Sequence, residues 1–104
     1  MKFWIDDLRE PPSGTHWVVC RNSADSIFYI DAFINVDNII CEEISFDHDL
    51  GGLDTTRPVV LWMIENLPLS KWPKRAYVHT ANPVGAKWLR GMLTRYGPDD
   101  MIVI

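Results

Sequence analysis

The chain has 104 residues, a net charge of −4 and an apolar fraction of 47%. This length supports one hydrophobic core, so we expect a single domain over residues 1–104. No apolar run approaches the roughly 20 residues that cross a bilayer, and an acidic pair follows the first strand too early for a signal peptide. We therefore predict a cytoplasmic protein without membrane contacts. An acidic chain is also a poor binder of extended DNA, because that affinity comes from many basic side chains.

The charge is unevenly distributed along the sequence. Residues 1–65 carry four basic and twelve acidic side chains, whereas residues 66–98 carry six basic and no acidic ones. A basic rim of this kind would hold a phosphate or the end of a nucleic acid. A solvated charged surface explains the same pattern without a ligand.

Five short runs rich in β-branched and aromatic residues predict strands, at residues 1–5, 17–20, 44–46, 75–78 and 101–104. Helical patterns cover residues 24–34 and 58–66 and run from Pro83 to about Tyr96. The paired prolines Pro11-Pro12 exclude a helix between the first two strands, so a loop is expected there. Strands alternating with helices predict an α/β fold with a small, doubly wound, mainly parallel five-stranded sheet.

Isolated cysteines and most tryptophans in this sequence are typical of a core. Cys20 and Cys41 lack metal-binding spacing, so we expect reduced, buried thiols. Trp4 lies in a predicted strand and is assigned to the core. Trp72 stands between Lys71 and Pro73 and is the tryptophan most expected at the surface.

Polar side chains directly follow two of the predicted strands. Asp6 and Asp7 follow the first, and Asp47 and Asp49 flank His48 after the third. Because the carboxyl ends of parallel strands share one edge of a sheet, we expect these groups to lie together. Neighbouring carboxylates repel one another, and Mg²⁺ or Mn²⁺ would relieve that repulsion. We predict a divalent metal held by Asp6, Asp7 and Asp47; the alternative is that the acids are turn or helix-cap residues.

The fourth strand is followed by residues suited to phosphate. Thr80, Asn82 and Gly85 lie before or within the start of the last helix, whose free N–H groups attract anions. We predict that they bind phosphate together with a basic residue, Arg9 or Lys87.

The histidines are candidates for proton transfer. His79 has an ordinary pKa near neutrality and is predicted to be a general acid or base, although a structural histidine is the competing interpretation. His48 lies between two aspartates, which favour its charged form. It is predicted to be a ligand, a proton donor or an orienting residue, and Asp49 or His48 is expected to orient a water.

The acid pair after the first strand, the aspartate after the third and the threonine after the fourth resemble the phosphoacceptor receiver domain of response regulators. In receivers the acid pair holds Mg²⁺ and the third-strand aspartate accepts phosphate. This sequence differs in lacking a helix between the first two strands and a counterpart of the lysine that follows the fifth strand.

Three longer blocks more closely resemble the cyclic-phosphate-processing receiver-like domains, which are associated with RNA repair and end processing. The blocks are Trp4-Ile-Asp-Asp-Leu-Arg-Glu-Pro-Pro12, Ile44-Ser-Phe-Asp-His-Asp-Leu-Gly51 and Val78-His-Thr-Ala-Asn-Pro-Val-Gly85. The resemblance implies a receiver-like, flavodoxin-like fold and a pocket that contains Asp6, Asp7, Asp47, Asp49 and His79.

These observations favour an enzyme. The hypothesis is a metal-dependent phosphoesterase or phosphotransfer domain acting on a small phosphate group, such as the 2′,3′-cyclic phosphate of an RNA end or nucleotide, with His79, Asp49 and His48 as catalytic residues. The alternative is a non-catalytic binding module that accepts phosphate in signalling or sequesters a nucleotide. A third interpretation is an interaction domain with a relic pocket.

Overall fold

The computed structural model describes residues 1–13 and 16–104, so Gly14 and Thr15 of the predicted loop lie outside the described residues. In chain order the elements are β1 (Lys2–Ile5), β2 (Val18–Cys20), α1 (Ser23–Ile30), β3 (Glu43–Phe46), α2 (Arg57–Asn66), β4 (Arg75–Val78), α3 (Pro83–Tyr96) and β5 (Ile102–Val103). A π-helical stretch, Asp31–Val36, continues α1, and a 3₁₀ turn, Leu69–Lys71, precedes β4.

The five strands form one sheet in the order β2-β1-β3-β4-β5, and every pair is parallel. This is the flavodoxin-like strand order: β2 is added on one side of β1, and β3, β4 and β5 are added on the other side, so the order of strands reverses between β1 and β3. The predicted α/β receiver-like fold is therefore confirmed. The predicted loop between β1 and β2 is also found, since the described residues of that connection contain no helix.

The two faces of the sheet are covered differently. Alternate strand residues on one face join a core built with residues from all three helices; these strand residues are Phe3, Ile5, Ile44, Phe46, Ala76 and Val78. The crossovers that contain α1, α2 and α3 all advance in the same direction across the sheet, so right-handed connections place all three helices on this face. The opposite face carries Trp4, Ser45 and Tyr77, which lie side by side in the strand register.

Local hydrogen bonds explain where the helices begin. The Oδ1 atom of Asn22 accepts the N–H of Asp25 at 2.8 Å, and that of Asn82 accepts the N–H of Gly85 at 3.1 Å. Both asparagines therefore cap their helices as their positions before the helical patterns predict. At α2 it is the Oγ1 atom of Thr55 that accepts the N–H of Arg57, at 3.2 Å.

The prediction that Trp72 is exposed is wrong. Its side chain is only 5% exposed, and its indole N–H donates to the Leu67 carbonyl at 2.8 Å. Trp72 directly follows the 3₁₀ turn, and its indole packs beside Gly97, where an added Cβ would lie 3.4 Å from the ring. The sequence pattern around a connecting segment does not reveal such a turn.

The cysteines lie where they were predicted to lie. Cys20 and Cys41 are both free and buried. Burial raises the pKa of Cys20 to about 11 and that of Cys41 to about 12, so neither thiol is a nucleophile at neutral pH. Within the described residues, no helix has the length and apolar character needed to cross a membrane.

One buried hydroxyl provides a test of the core. Thr56 is fully buried, and its Oγ1 atom has no hydrogen-bond partner among the described residues. An unsatisfied buried hydroxyl costs about 1–3 kcal/mol. We expect Thr56→Val to raise the free energy of unfolding in urea by about 1 kcal/mol, because it replaces the hydroxyl with a methyl group. A loss of stability of that size would contradict the packing described.

Candidate functional site

Three polar residues lie side by side at the carboxyl edge of the sheet. The ladder continues one residue beyond the central strands: Asp47 donates its N–H to Ile5 at 2.8 Å, and His79 donates its N–H to Phe46 at 2.9 Å. The register therefore aligns Asp6, Asp47 and His79. Each offers a ligand atom, and these atoms lie within 4.8 Å of one another. Asp6 and Asp47 flank the β1/β3 reversal, where ligands bind in folds of this type.

Asp6 is held by donors on all sides. It is 1% exposed; its Oδ1 accepts the backbone N–H groups of Leu8 and Arg9 at 2.9 and 2.8 Å, and its Oδ2 accepts the Nε of Arg9 and the Nε2 of His79 at 3.0 Å. Burial opposes ionisation of this carboxyl, but the donors from Arg9, Leu8 and His79 outweigh it and lower the pKa of Asp6. The group is therefore a carboxylate at neutral pH.

His79 is fixed by three contacts. Its Nε2 faces Asp6, its Nδ1 lies 2.7 Å from the Ser45 hydroxyl, and its ring stacks on Trp4 with centroids 4.0 Å apart. Because the Asp6 carboxylate only accepts hydrogen bonds, we assign the proton to Nε2 and the acceptor role to Nδ1. Burial lowers the pKa of His79 more than the carboxylates of Asp6 and Asp47 raise it, so the ring is neutral at neutral pH.

Asp47 is the open member of the cluster. Its Oδ1 accepts the N–H of His48 at 2.8 Å, while Oδ2 has no hydrogen bond to any residue that the structure describes. The Arg9 guanidinium lies 3.8 Å from Oδ1 and also donates to the His79 carbonyl at 3.0 Å. Arg9 thus supplies the positive charge between the two carboxylates, and its side chain remains 54% exposed.

His48 belongs to a second network beside this cluster. Its Nε2 accepts the Nε–H of Arg57 at 2.9 Å, and its Nδ1 lies 2.9 Å from Asp49. The guanidinium can only donate, so Nε2 of His48 is the acceptor of this hydrogen bond. The imidazole ring therefore lies between the Arg57 guanidinium and the Asp49 carboxylate, whereas the sequence places His48 between two aspartates.

The same network joins the β3 loop to α3. Asp49 also accepts the side-chain N–H of Asn82 at 3.1 Å, and the donors from His48 and Asn82 lower the pKa of Asp49. Gly85 lies against His48: a Cβ on this glycine would lie 2.4 Å from the imidazole Cγ. Thr80 accepts the backbone N–H of Asn82 at 3.2 Å. We call the set His48, Asp49, Arg57, Asn82 and Gly85 the brace.

The structure does not bring every predicted site residue into the cluster. The Oδ2 atom of Asp7 would lie 3.2 Å from a Cβ added to Gly51, beside the glycine turn, and Asp7 is not part of the Asp6, Asp47 and His79 group. Lys87 lies on the exposed side of α3. The metal-binding role of Asp7 and the phosphate-binding roles of Lys87, Thr80, Asn82 and Gly85 stay predictions.

Three residues that contact the site were not predicted. Trp4 and Ser45 hold the His79 ring, and Arg57 holds His48. A serine inside the buried run Ile44-Ser-Phe46 was the available signal, because a buried hydroxyl needs a partner. The contact of Trp4 depends on sheet register, which the sequence does not state.

The donor set fits a hard divalent cation. Two carboxylates from neighbouring strands meet the preference of Mg²⁺ or Mn²⁺ for oxygen ligands, with remaining positions left to water. Asp47 has a free oxygen for such an ion, while Asp6 would exchange its bond to Arg9 for it. His79 would ligate only after losing its hydrogen bond to Asp6, so it is the weaker candidate.

Residues 1–95, which contain the cluster and the brace, match a family model, that of the cyclic-phosphate processing receiver domain. The chain belongs to the cyclic-phosphate processing receiver domain family. Searches of curated proteins and of solved structures found no match. As a family member, the chain is a receiver-like domain associated with cyclic-phosphate processing.

Two glycines of α3 offer a matched test of the brace. Gly85→Ala forces a methyl group into the His48 ring, so we expect a loss of about 1–3 kcal/mol in the free energy of unfolding. Gly91→Ala meets nothing within 4 Å and should instead stabilise the helix by up to about 1 kcal/mol. Urea unfolding measures both variants. Equal effects of the two substitutions would contradict the described packing.

Proposed function

We propose that this domain is a metal-dependent phosphoesterase that opens a 2′,3′-cyclic phosphate at an RNA end or on a nucleotide. The observation that carries the proposal is the Oδ2 of Asp47, free of hydrogen bonds among the described residues, within the Asp6, Asp47 and His79 cluster and next to the partly exposed guanidinium of Arg9. An acceptor, a proton-bearing ring and a guanidinium at one strand edge are the groups that phosphate hydrolysis needs.

The reaction defines what the residues must do. A water oxygen forms a bond to phosphorus, one of the two ring P–O bonds breaks, and the leaving ribose oxygen takes up a proton. The proton of the attacking water would pass to solvent, because the free Oδ2 of Asp47 would be a ligand of the divalent ion. Arg9 would pair with the phosphate oxygens, since its planar guanidinium matches them and much of it is exposed.

His79 would protonate the leaving oxygen. A neutral imidazole is a poor acid, and burial keeps His79 neutral in the free protein. An anionic phosphate beside the ring adds negative charge and favours its protonated form, so substrate binding itself would prepare the acid. Ser45 then accepts from Nδ1–H, and the stack on Trp4 fixes the direction of Nε2.

The brace acts indirectly in this proposal. Both ring nitrogens of His48 and both carboxylate oxygens of Asp49 already have partners, so these groups would position the loop after Asp47 rather than orient the water themselves. Asn82 uses its Oδ1 on Gly85, which leaves fewer helix N–H groups for phosphate than the sequence suggests. Thr80 and the start of α3 remain proposed phosphate contacts, and Lys87 would contribute from farther along the helix.

Asp6 and Asp47 would hold the divalent ion. When bound, Mg²⁺ or Mn²⁺ polarises phosphoryl oxygens and lowers the pKa of a coordinated water. Arg9 now pairs with the same carboxylates, so ion binding would release its guanidinium toward the phosphate. Asp7 lies outside this group and would contribute only to the surrounding negative charge.

A second function is favoured by the same free oxygen. Asp47 follows the third strand of a receiver-like sheet, and its unpartnered Oδ2 would accept a phosphoryl group as a receiver does. Such a module would signal or sequester a nucleotide without turning it over. Stable addition of phosphate or a beryllofluoride mimic to Asp47, with no hydrolysis of cyclic nucleotides, would select this function.

Substitutions in the cluster test the enzyme. We expect Asp47→Asn and His79→Gln each to lower kcat for a nucleotide 2′,3′-cyclic phosphate by about 10²–10⁴-fold, because the first removes a carboxylate ligand of the divalent ion and the second removes the proton donor. Turnover with Mg²⁺ or Mn²⁺ is followed by ³¹P NMR.

The control variants are Asp37→Asn and His16→Gln, which change the same residue types at exposed positions outside the site. They should retain turnover. A wild-type protein that is inactive with several divalent ions on cyclic and linear phosphates would refute the proposal.

The competition between Arg9 and the ion gives a test that needs no turnover. Arg9→Gln removes the pairing with Asp6 and Asp47, so we expect Mn²⁺ to bind about two- to fivefold more tightly in an electron paramagnetic resonance titration, as for loss of one partly exposed ion pair. Arg75→Gln is the control, since Arg75 pairs with Glu43 at the amino ends of the strands. Weaker Mn²⁺ binding by Arg9→Gln would contradict the assignment.

A further inference from the structure

The exposed side of α3 carries a charge opposite to that of the whole protein. The helix holds three basic side chains, Lys87, Arg90 and Arg95, and no acidic one, in a chain with a net charge of −4. All three residues are exposed. Lys87 has no ion pair with any residue in the described ranges, and neither has Arg95, whose guanidinium lies 5.3 Å from the ring centroid of Tyr96.

Two shallow hollows meet on this helix. The first hollow has a volume of about 760 Å³ and is lined by Pro83, Ala86, Lys87, Arg90, Gly91, Thr94 and Arg95. The second hollow has a volume of about 480 Å³ and is lined by Arg57, Val84, Lys87, Trp88, Gly91, Met92 and Arg95. Lys87, Gly91 and Arg95 belong to both hollows. We call these three residues the basic saddle; Gly91 lies at its centre.

Gly91 has no internal reason to be glycine. A Cβ at this position would meet no atom within 4 Å, and the residue lies inside a 14-residue helix. Glycine in a helix interior is less favourable than alanine. Lack of a side chain here exposes the helix backbone, which allows a ligand to approach closely.

An aromatic platform borders the saddle. The Arg57 guanidinium lies 4.7 Å from the ring centroid of Trp88, which is partly exposed beside Val84. An indole next to a guanidinium is a surface on which nucleic-acid bases stack. A phosphate chain alone would need only the basic residues, so this platform points to a ligand that also has flat apolar groups.

The saddle is continuous with the proposed active site. Pro83, the first residue of α3, lines one hollow, and the preceding Asn82 donates to Asp49 in the brace. Arg90 also donates to the carbonyl of Val78, the last residue of β4, at 3.4 Å. A strand whose end lies at Asp47 would therefore meet α3 along its basic side.

We infer that the basic saddle of α3 binds the backbone of a single-stranded oligonucleotide whose terminal phosphate lies at the strand edge. This inference rests on the proposed function and narrows its substrate from a free nucleotide to the end of a strand. Phosphates would pair with Lys87 and Arg95 across Gly91, and a base would stack on the Trp88 and Arg57 platform. An acidic peptide matches the charges but not the platform.

Binding is measured by fluorescence anisotropy with a labelled single-stranded RNA of about ten nucleotides ending in a 3′-phosphate, in chelator so that no turnover occurs. We expect Arg95→Gln to weaken binding by about fivefold and to reduce the slope of log affinity against log salt by about 0.7, as for one lost phosphate contact. Gly91→Leu fills the saddle and should weaken binding at least as much.

The controls separate charge and folding from the saddle. Lys74→Gln removes one exposed positive charge at the amino end of β4 and should leave affinity unchanged. Ala24→Leu places the same side chain at an exposed position of α1, away from the saddle, and should retain binding, which shows that the Gly91→Leu effect is local. Urea unfolding confirms that each variant is folded.

Three results would overturn the inference: an equal loss of RNA affinity in Lys74→Gln and Arg95→Gln, an unchanged RNA affinity in both saddle variants, or equally tight binding of a polyglutamate peptide of matched charge.

Failure of the proposed function can be told apart from failure of this inference. A wild-type protein that hydrolyses no cyclic nucleotide but loses oligonucleotide affinity on Arg95→Gln keeps the saddle and refutes the enzyme. A wild-type protein that hydrolyses cyclic mononucleotides, but whose oligonucleotide affinity does not change on Arg95→Gln, keeps the enzyme and refutes the saddle.

Discussion

Two carboxylates brought together at the end of a parallel sheet are the constraint on which this structure depends. Register pairs Ile5 with Phe46, so Asp6 and Asp47 must emerge side by side next to the β1/β3 reversal. Burying like charges without compensation is unfavourable. The protein compensates Asp6 with backbone N–H groups, His79 and Arg9, and leaves one oxygen of Asp47 without a partner among the described residues.

The two histidines near these carboxylates have different surroundings. His79 faces Asp6 within the cluster and is held from behind by Ser45 and Trp4. His48 has no contact with the cluster carboxylates through its ring; it ties Asp49 and Arg57 together and packs against Gly85. One histidine therefore belongs to the carboxylate cluster, and the other holds the loop after β3 against α3.

The fold was predictable because its signals are local. Alternating apolar runs, capping asparagines and the proline pair determine strands, helix starts and the loop between β1 and β2, and the strand-end rule places Asp6 and Asp47 together. The finer geometry was not predictable, since it depends on register and long-range pairing. Asp49 was expected to lie with Asp47 at the strand edge, but β3 ends at Phe46 and Asp49 turns to His48 and Asn82. The hydrogen bond between Arg57 and His48 joins residues nine positions apart, and no local pattern in the sequence indicates it.

The central claim is that Asp6 and Asp47 hold a divalent ion to which a cyclic phosphate binds. A crystal structure of the protein with Mn²⁺ and a nucleotide 2′,3′-cyclic phosphate tests it most directly. We expect an anomalous manganese peak between these two carboxylates, with the phosphate beside it. The Arg9 side chain should have turned from Asp6 to the phosphate oxygens. Manganese bound elsewhere, or a nucleotide bound away from this edge with Arg9 still on Asp6, would contradict it.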